Sequence, residues 1–206
     1  MHRHLVVMAR VPTMGRVKTR LAAGIGAVAA TAFYRRELAA LLRRVGGDPR
    51  WTTWLAVTPD TGVALPGWRR GPGVIAQGSG DLGARMGRVM RTLPPGPVLI
   101  VGSDIPELAP ADIAAGFAAL GSHDAVFGPA PDGGYWLVGL RRTPRVLDPF
   151  GGVRWSDDHA LADTVRNLKG RRIAFLRELA DIDTAEDYFA RRRGAVSRQR
   201  SPPHAS

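Results

Sequence analysis

The sequence predicts an α/β fold built on a mostly parallel, mixed sheet with helices on both faces. Short apolar runs alternate along the chain with segments whose apolar residues recur every three to four positions, as strands alternating with helices do. The run Val98–Val101 is apolar at every position, as expected of a strand covered on both faces. The chain has 206 residues, a length that a single domain can close around one core.

The first half of the chain is predicted to contain three strands and two helices. Residues 4–9 are short and rich in β-branched side chains, which favours a strand over a buried helix. Over residues 26–45 apolar side chains recur at helical spacing, and a Gly-Gly-Asp-Pro sequence ends this helix. A second helix, at 82–93, has the same spacing and stops at Pro-Pro-Gly-Pro. Two strands lie between the helices, at 51–58 and 74–77.

The second half continues the alternation. In chain order we predict a strand at 98–101, a helix at 110–120, strands at 124–128 and 135–140, a helix at 158–168, a strand at 172–176 and a helix at 184–193. No internal repeat or linker divides the chain, so residues 1–190 are predicted to form one domain. Residues 191–206 are polar, contain prolines and lack periodicity, and we expect them to be a disordered basic tail.

Composition and charge exclude several classes of function. The chain has no cysteine, which excludes disulfide scaffolds, thiol nucleophiles and zinc fingers. It has no apolar run of membrane-spanning length and no signal peptide, so a cytoplasmic protein without a membrane partner is expected. Five arginines of the last 16 residues account for much of the net charge of +11, and removing them leaves +6. Lysine-rich stripes with interleaved aromatics are missing, so we predict an anionic small molecule instead of nucleic acid as partner.

Ligands of open α/β sheets bind beyond the carboxyl ends of the strands, and a basic loop follows the first predicted strand. It carries Arg10, Gly15, Lys18 and Arg20 and leads into a helix start. A glycine, several cations and a helix N-terminus are the components of a phosphate-binding loop. The alternative is a solvated basic loop above a surface helix, and this loop taken by itself does not decide between the two.

Two aspartates are candidate ligands for a divalent cation. Asp104 belongs to the segment Gly102-Ser103-Asp104, which directly follows the apolar strand 98–101, a position suited to holding a hard cation. The alternative is that Asp104 caps a turn or a short helix. Asp183 belongs to an Asp-x-Asp sequence before the last helix, where it could ligate the same ion. Asp183 or Thr184 could also cap that helix, with an acidic residue three positions later completing a capping box.

Three further segments have both a structural and a functional interpretation. Asp132, Gly133, Gly134 and Tyr135 form either a hairpin turn or a backbone that approaches a ligand closely. In the glycine-rich turn 77–83, the simple interpretation is that Asp81 caps the helix that follows. Near Trp155, a helix cap at Ser156 or Asp157 is again the simple interpretation, and His159 is expected to be a solvated helix residue because it lacks zinc-ligand spacing.

Six motifs in a fixed order carry a family resemblance that is more specific than any one of them. They are GRVKTRLA, DLGARM, GSDIP, GPAPDGGYWLVGL, Trp155-Ser156 and DIDTAEDY, and the resemblance covers residues 5 to about 190. The chain resembles the GT-A-like family of selenodomain-associated transferases, also called arsenosugar-biosynthesis glycosyltransferases. More distantly, it is similar to the guanylyltransferases that activate phospholactate or phosphoenolpyruvate. It departs from the family in having Arg10 in place of a lysine and Asp157 in place of a threonine.

The resemblance implies a nucleotide-diphospho-sugar-transferase type of fold and a role for each matched residue. The nucleotide would be bound by Arg10, Gly15, Lys18, Arg20, Gln77, Asp81, Leu82 and Gly83. The acceptor side would be lined by Asp132, Gly133, Gly134, Tyr135 and Trp155. Asp104 and Asp183 would hold Mg²⁺ or Mn²⁺. Lys18 and Asp104 would then act in catalysis, with Asp132 as the candidate base.

These observations together predict a metal-dependent transferase that uses a nucleotide-activated substrate. Glycosyl transfer from a nucleoside diphosphate sugar to a small acceptor is preferred. The alternative is nucleotidyl transfer to a phosphorylated small molecule with release of pyrophosphate, and a third hypothesis is a nucleotide-binding protein without catalysis. An apolar helix face left exposed would allow a homodimer.

Overall fold

Strands and helices alternate along residues 2–65 and 72–200, which are the residues that the computed structural model describes. The strands are β1 (His4–Arg10), β2 (Thr52–Thr58), β3 (Gly73–Ala76), β4 (Val98–Val101), β5 (Ala125–Pro129), β6 (Tyr135–Leu140) and β7 (Ile173–Phe175). The helices are α1 (Thr19–Ile25), α2 (Ala27–Val45), α3 (Leu82–Thr92), α4 (Pro110–Ala119), α5 (Ala160–Arg166) and α6 (Ala185–Arg200), with a 3₁₀ turn at Asp60–Ala64.

All seven predicted strands and all five predicted helices are present, most with ends within two residues of the prediction. The prediction did not include α1 or the 3₁₀ turn as separate elements. The largest difference is at the C-terminus, where α6 continues to Arg200, so residues 191–200 of the predicted disordered tail are helical. Alanine, arginine and glutamine favour helix even without an apolar stripe. Residues 201–206 of that tail lie outside the described residues.

The strands form one seven-stranded sheet in the order β3-β2-β1-β4-β6-β5-β7. The pairs β1–β2, β2–β3, β1–β4 and β5–β7 are parallel, whereas β6 runs antiparallel to both of its neighbours, β4 and β5. The predicted mostly parallel, mixed sheet is therefore confirmed. Because β5 and β6 are consecutive and antiparallel, a hairpin connects them.

Helices cover both faces of the sheet. Side chains at alternate strand positions point to opposite faces. On one face, Ile100 belongs to a buried apolar cluster that includes Met90 of α3 and Leu168, which follows α5. On the other face α4 approaches Leu99 so closely that a Cβ on Gly116 would lie 2.9 Å from Leu99 Cδ1. All four residues of β4 are buried, as its uniformly apolar sequence predicts.

The chain divides into two compact units. The first unit, Met1–Val11 with Glu37–Asp181, contains the whole sheet. The second unit, Pro12–Arg36 with Ile182–Ser206, contains α1 and α6. None of the described helices has the length and apolar character that a membrane-spanning segment requires.

The second unit has a small core of its own. Leu21, Phe33 and Ile182 are buried together in it, and Tyr188 meets the Phe33 ring edge-on with the ring centroids 5.4 Å apart. The helices α1 and α6 touch where Gly24 faces Ala185, since a Cβ on Gly24 would overlap the Ala185 side chain. The prediction that residues 1–190 form one domain stays a prediction.

Gly139 provides a test of the packing between β6 and its neighbours. A Cβ at this position would lie 2.6 Å from Val126 Cγ1 and closer still to Leu99 Cδ2. We expect Gly139→Ala to lower the free energy of unfolding by about 1–3 kcal/mol, because the extra methyl group overpacks a filled interior. The measurement is urea denaturation. Gly151→Ala is the matched control, since nothing lies within 4 Å of that position, and an equal loss in both variants would contradict the packing.

Candidate functional site

Polar residues follow the parallel strands of the first unit at one edge of the sheet. Arg10 ends β1, Gln77 follows β3, and Ser103 and Asp104 follow β4 after one glycine. The hairpin after β5 leaves the same edge, because β5 is parallel to β4. The expectation that candidate residues lie beyond the carboxyl ends of the strands is therefore met by Arg10, Gln77, Asp104 and the Asp132 turn.

Asp104 occupies the exit of the central strand β4 and is half-buried. No described helix begins beside it, since α4 starts at Pro110. The first turn of α4 is instead held by Asp112, whose Oδ2 accepts a hydrogen bond from the Ala109 N–H at 2.8 Å. The alternative that Asp104 caps a helix is therefore wrong, and the alternative that it caps a turn stays open. Its carboxylate has the chemistry of a ligand for a hard divalent cation.

Gln77, which follows β3, links that strand to β1 and β2 through side-chain hydrogen bonds. Its side chain is only 4% exposed, and its amide nitrogen donates to the carbonyl oxygens of Ala9 at 3.0 Å and Ala56 at 2.8 Å. These donors hold β1 and β2 relative to the loop after β3. A direct contact between Gln77 and a nucleotide stays a prediction.

The loop after Gln77 is held by side chains that the sequence analysis did not single out. Arg88 donates to the carbonyls of Gln77 at 2.6 Å and Ser79 at 3.0 Å. Arg85 donates to the Gly80 carbonyl at 2.9 Å, and Asp60 accepts from the Gly78 N–H at 3.0 Å. Asp60 comes two residues after β2, and Asp104 comes three residues after β4. This position just after a strand is the sequence feature that could have identified Asp60.

The loop ends where α3 begins, and Asp81 caps that helix. Its Oδ1 accepts from the Ala84 N–H at 2.8 Å, so the predicted N-cap is confirmed. Leu82 is 46% exposed, whereas Gly83 is buried. A Cβ on Gly83 would lie 2.7 Å from Trp155 Cζ2, so the glycine allows the first turn of α3 to pack closely on the indole ring.

The segment around Asp132 is a hairpin turn, as one of the two interpretations predicted. Asp132 Oδ1 accepts from the Gly134 N–H at 3.0 Å, and Gly133 has φ = 79°, which favours glycine. There is no room for a Cβ on Gly133, because it would overlap the backbone of Asp158. The Gly133 carbonyl accepts from the Leu161 N–H at 3.0 Å, so the turn is seated on the start of α5.

Tyr135 and Trp155 pack against the interior. The Tyr135 ring meets Phe127 edge-on with centroids 5.4 Å apart, and its centroid is 6.5 Å from that of Trp155. Burial raises the pKa of the Tyr135 hydroxyl well above its usual range. The role that the structure gives to these two rings is packing against the buried apolar cluster, and acceptor binding by them stays a prediction.

Asp157, Asp158 and His159 form a cluster that spacing did not predict. His159 is exposed, as expected, and its Nδ1 also contacts both carboxylates. The hydrogen bond to Asp157 raises the pKa of His159, while the same bond lowers the pKa of Asp157 to about 2. Each residue offers one ligand atom within 4.8 Å of the others, so the three exposed side chains could hold a cation.

In the second unit, Lys18 and Arg20 both pair with Asp183. Lys18 Nζ lies 3.4 Å from Asp183 Oδ1, and Arg20 Nη1 lies 3.0 Å from Oδ2. The Lys18 side chain is only 6% exposed, and its backbone is left-handed, with φ = 48° and ψ = 49°. Gly15 is also left-handed, with φ = 73°. Non-glycine residues in this conformation are strained and occur often at functional sites.

The N-terminal cap of α6 does not use the Asp183 side chain, which pairs with Lys18 and Arg20 instead. Thr184 Oγ1 accepts from the Asp187 N–H at 3.2 Å, and Asp187 Oδ2 accepts from the Thr184 N–H at 2.8 Å. These reciprocal bonds form a capping box, so the predicted box is confirmed with Thr184 and Asp187 as its members. Asp183 is not the capping side chain, and metal ligation by Asp183 stays a prediction.

Comparison with known proteins identifies the family and supports the fold. The bacterial protein family described as "Uncharacterized protein conserved in bacteria (DUF2064)" matches residues 41–157. Because the match covers more than half of the chain, the protein belongs to this family. No curated protein matches the chain.

Solved structures share the fold over almost the whole chain. A protein from Desulfovibrio desulfuricans G20, provisionally assigned to the nucleotide-diphospho-sugar transferases, is 28% identical, with a TM-score of 0.84 over 98% of this chain and 92% of that one. A 4-diphosphocytidyl-2C-methyl-D-erythritol synthase from Anaerococcus prevotii DSM 20548 is 12% identical, with a TM-score of 0.57 over 97% of this chain and 99% of that one. A CMP:2-keto-3-deoxy-manno-octonic acid synthetase complexed with CTP is 14% identical, with a TM-score of 0.54 over 97% of this chain and all of that one. The predicted GT-A-like fold is therefore confirmed.

The left-handed backbone of Lys18 can be tested separately from its charge. Both Lys18→Gly and Lys18→Ala remove the ion pair, but only glycine accepts φ = 48° without strain. We expect the glycine variant to unfold with a free energy about 1 kcal/mol larger than that of the alanine variant, measured by urea denaturation. At Ala23, within α1, the order should reverse, because glycine disfavours helix. A more stable alanine variant at position 18 would show that the backbone there is not left-handed.

Proposed function

We propose that this protein is a metal-dependent transferase acting on a nucleotide-activated substrate. The observation that carries the proposal is Asp104, a half-buried carboxylate at the exit of the buried strand β4. The full-length likeness to a protein assigned to the nucleotide-diphospho-sugar transferases supports the same class. A protein from Mycobacterium tuberculosis with the same fold and 19% identity was crystallised with manganese.

The donor set fits a hard divalent cation. Asp104 would hold Mg²⁺ or Mn²⁺ through its carboxylate oxygens, with ligation by Asp183 carried over from the sequence resemblance. The bound cation would stabilise negative charge on the departing phosphate. The nearly buried ammonium of Lys18 and the guanidinium of Arg20 would neutralise phosphate oxygens, and charges fixed in place before reaction are effective in stabilising a transition state. This chemistry requires no covalent nucleophile from the protein.

The remaining residues would position the two substrates. Arg10 would contact the phosphates at the end of β1. Gln77, Asp81, Leu82 and Gly83 would define the nucleoside side, together with Arg85 and Arg88, which hold that loop. Asp132 is the proposed base on the acceptor side, where its Oδ1 accepts an N–H bond from the turn.

Glycosyl transfer to a small acceptor is the preferred reaction, in line with the assignment of the Desulfovibrio protein. Nucleotidyl transfer is the second candidate, because two of the neighbours with this fold are a diphosphocytidyl-erythritol synthase and a CMP-sugar-acid synthetase. The products distinguish the two reactions. Glycosyl transfer releases a nucleoside diphosphate, whereas nucleotidyl transfer releases pyrophosphate, and phosphorus NMR separates these signals.

Asp104→Asn tests the role of the proposed metal ligand. We expect turnover to fall roughly 100-fold or more, because the amide loses the charge that holds the cation, while the melting temperature changes little. Product formation is followed by phosphorus NMR, and stability by thermal unfolding. Asp148→Asn is the matched control in the same unit, since Asp148 is an exposed partner of Arg91. Full turnover in Asp104→Asn would overturn the assignment, and binding of nucleotide without turnover in the unchanged protein would favour a binding protein without catalysis.

A further inference from the structure

We propose that Asp183 takes the place of a phosphate group on Lys18 and Arg20 when no nucleotide is bound, and that phosphate binding releases Asp183 to a divalent cation. The inference rests on the proposed function and adds a coupling between its two ligands. It uses contacts within the second unit alone.

The first argument is the geometry of the pairing. The two oxygens of Asp183 are divided between the two cations, Oδ1 to Lys18 at 3.4 Å and Oδ2 to Arg20 at 3.0 Å. Two oxygens of one phosphate group can bridge an ammonium and a guanidinium in the same way. The cations that the sequence assigns to phosphate and the aspartate that it assigns to the metal therefore neutralise each other.

The second argument is the burial of Lys18. An ammonium whose side chain is 6% exposed needs an anionic partner, because burial of an unpaired charge is costly. Asp183 is more accessible, at 35%, so it is the member of the pair that can be replaced. A phosphate group can take over the Lys18 ammonium without leaving it unpaired.

The third argument is that the Asp183 side chain can move without unwinding α6. The helix is capped by Thr184 and Asp187, and the main-chain N–H of Asp183 donates to Asp187 Oδ2 at 3.1 Å. The backbone at Asp183 is therefore anchored independently of its carboxylate. Rotation of the side chain away from Lys18 and Arg20 breaks two ion pairs and leaves the cap intact.

A phosphate group binds the cations of this cluster and a divalent cation binds its aspartate, so each ligand raises the affinity of the protein for the other. Phosphate requires the cations without Asp183, and a divalent cation requires Asp183 without the cations. Each ligand therefore removes the competitor of the other, and this coupling is reciprocal. The consequence is that the protein favours a nucleotide together with its metal over either one alone.

The experiment measures each ligand by itself, so that ion pairing between them in solution plays no part. In the first arm, pyrophosphate is titrated into the full-length protein in EDTA by calorimetry. Asp183→Asn should tighten pyrophosphate binding about 5-fold or more, because its competitor for the cations is gone. Glu186→Gln is the matched control, since it removes the same charge from an exposed neighbour and should change the affinity less than about 2-fold.

In the second arm, Mn²⁺ is titrated without any phosphate and followed by electron paramagnetic resonance. Asp183→Asn identifies the part of the Mn²⁺ binding that depends on this residue, and separates it from binding to the Asp157 cluster. Arg20→Gln should tighten the Asp183-dependent part about 5-fold, because a competing cation is removed. Arg16→Gln, in the same basic loop and exposed, should leave it unchanged.

The outcomes separate the inference from the proposed function. Tighter binding in both arms with unchanged controls supports the coupling. If pyrophosphate and Mn²⁺ bind to the unchanged protein but neither Asp183→Asn nor Arg20→Gln tightens them, the coupling is wrong and the proposed function stands. If neither ligand binds any variant, the proposed function fails and the inference fails with it.

Discussion

The constraint on which the rest of this structure depends is the burial of its central parallel strands, β1 and β4, on both faces. Strand β1 lies between β2 and β4, and its residues Leu5, Val6 and Val7 are fully buried. Polar side chains are disfavoured along strands that are buried on both faces, so they occur where the strands end. The turn between β5 and the antiparallel β6 lies at the same edge, because β5 is parallel to β4. The positions of Asp104, Gln77 and the Asp132 turn in the first unit follow from this arrangement.

The arginine-rich composition has a structural explanation as well as a functional one. Several guanidinium groups hold loops by donating to main-chain carbonyls, as Arg88 does to Gln77 and Ser79, and Arg142 does to Leu93 and Pro94. Others neutralise buried carboxylates, such as Arg177 on Asp112. The fork of donors suits both tasks. A high net charge in this protein therefore reflects internal bonding in addition to any attraction for an anionic substrate.

The sequence predicted features that depend on local pattern and missed those that depend on distant partners. Val98–Val101 was predicted at its observed bounds because a fully buried strand needs no alternation. Thr184 was one of the two predicted caps, with Asp183, because capping boxes have fixed spacing. The pairing of Lys18 with Asp183 joins residues 165 positions apart, and no local pattern reports it. Gly83 was assigned to the nucleotide, and its close packing on Trp155 was not predicted. The spacing of residues along the chain indicates local structure and does not report packing between distant segments.

The central claim is that this fold binds a nucleotide together with a divalent cation. The most direct measurement is a panel of melting temperatures of the full-length protein with nucleoside triphosphates and nucleotide sugars, each in Mg²⁺, Mn²⁺ or EDTA. A ligand at about 100 times its dissociation constant adds about 2.7 kcal/mol of stability, which raises the melting temperature of a chain of this size by roughly 5–10 °C. The account predicts a shift of this size with one class of nucleotide that is lost in EDTA. A melting temperature that no nucleotide changes, with or without metal, would contradict it.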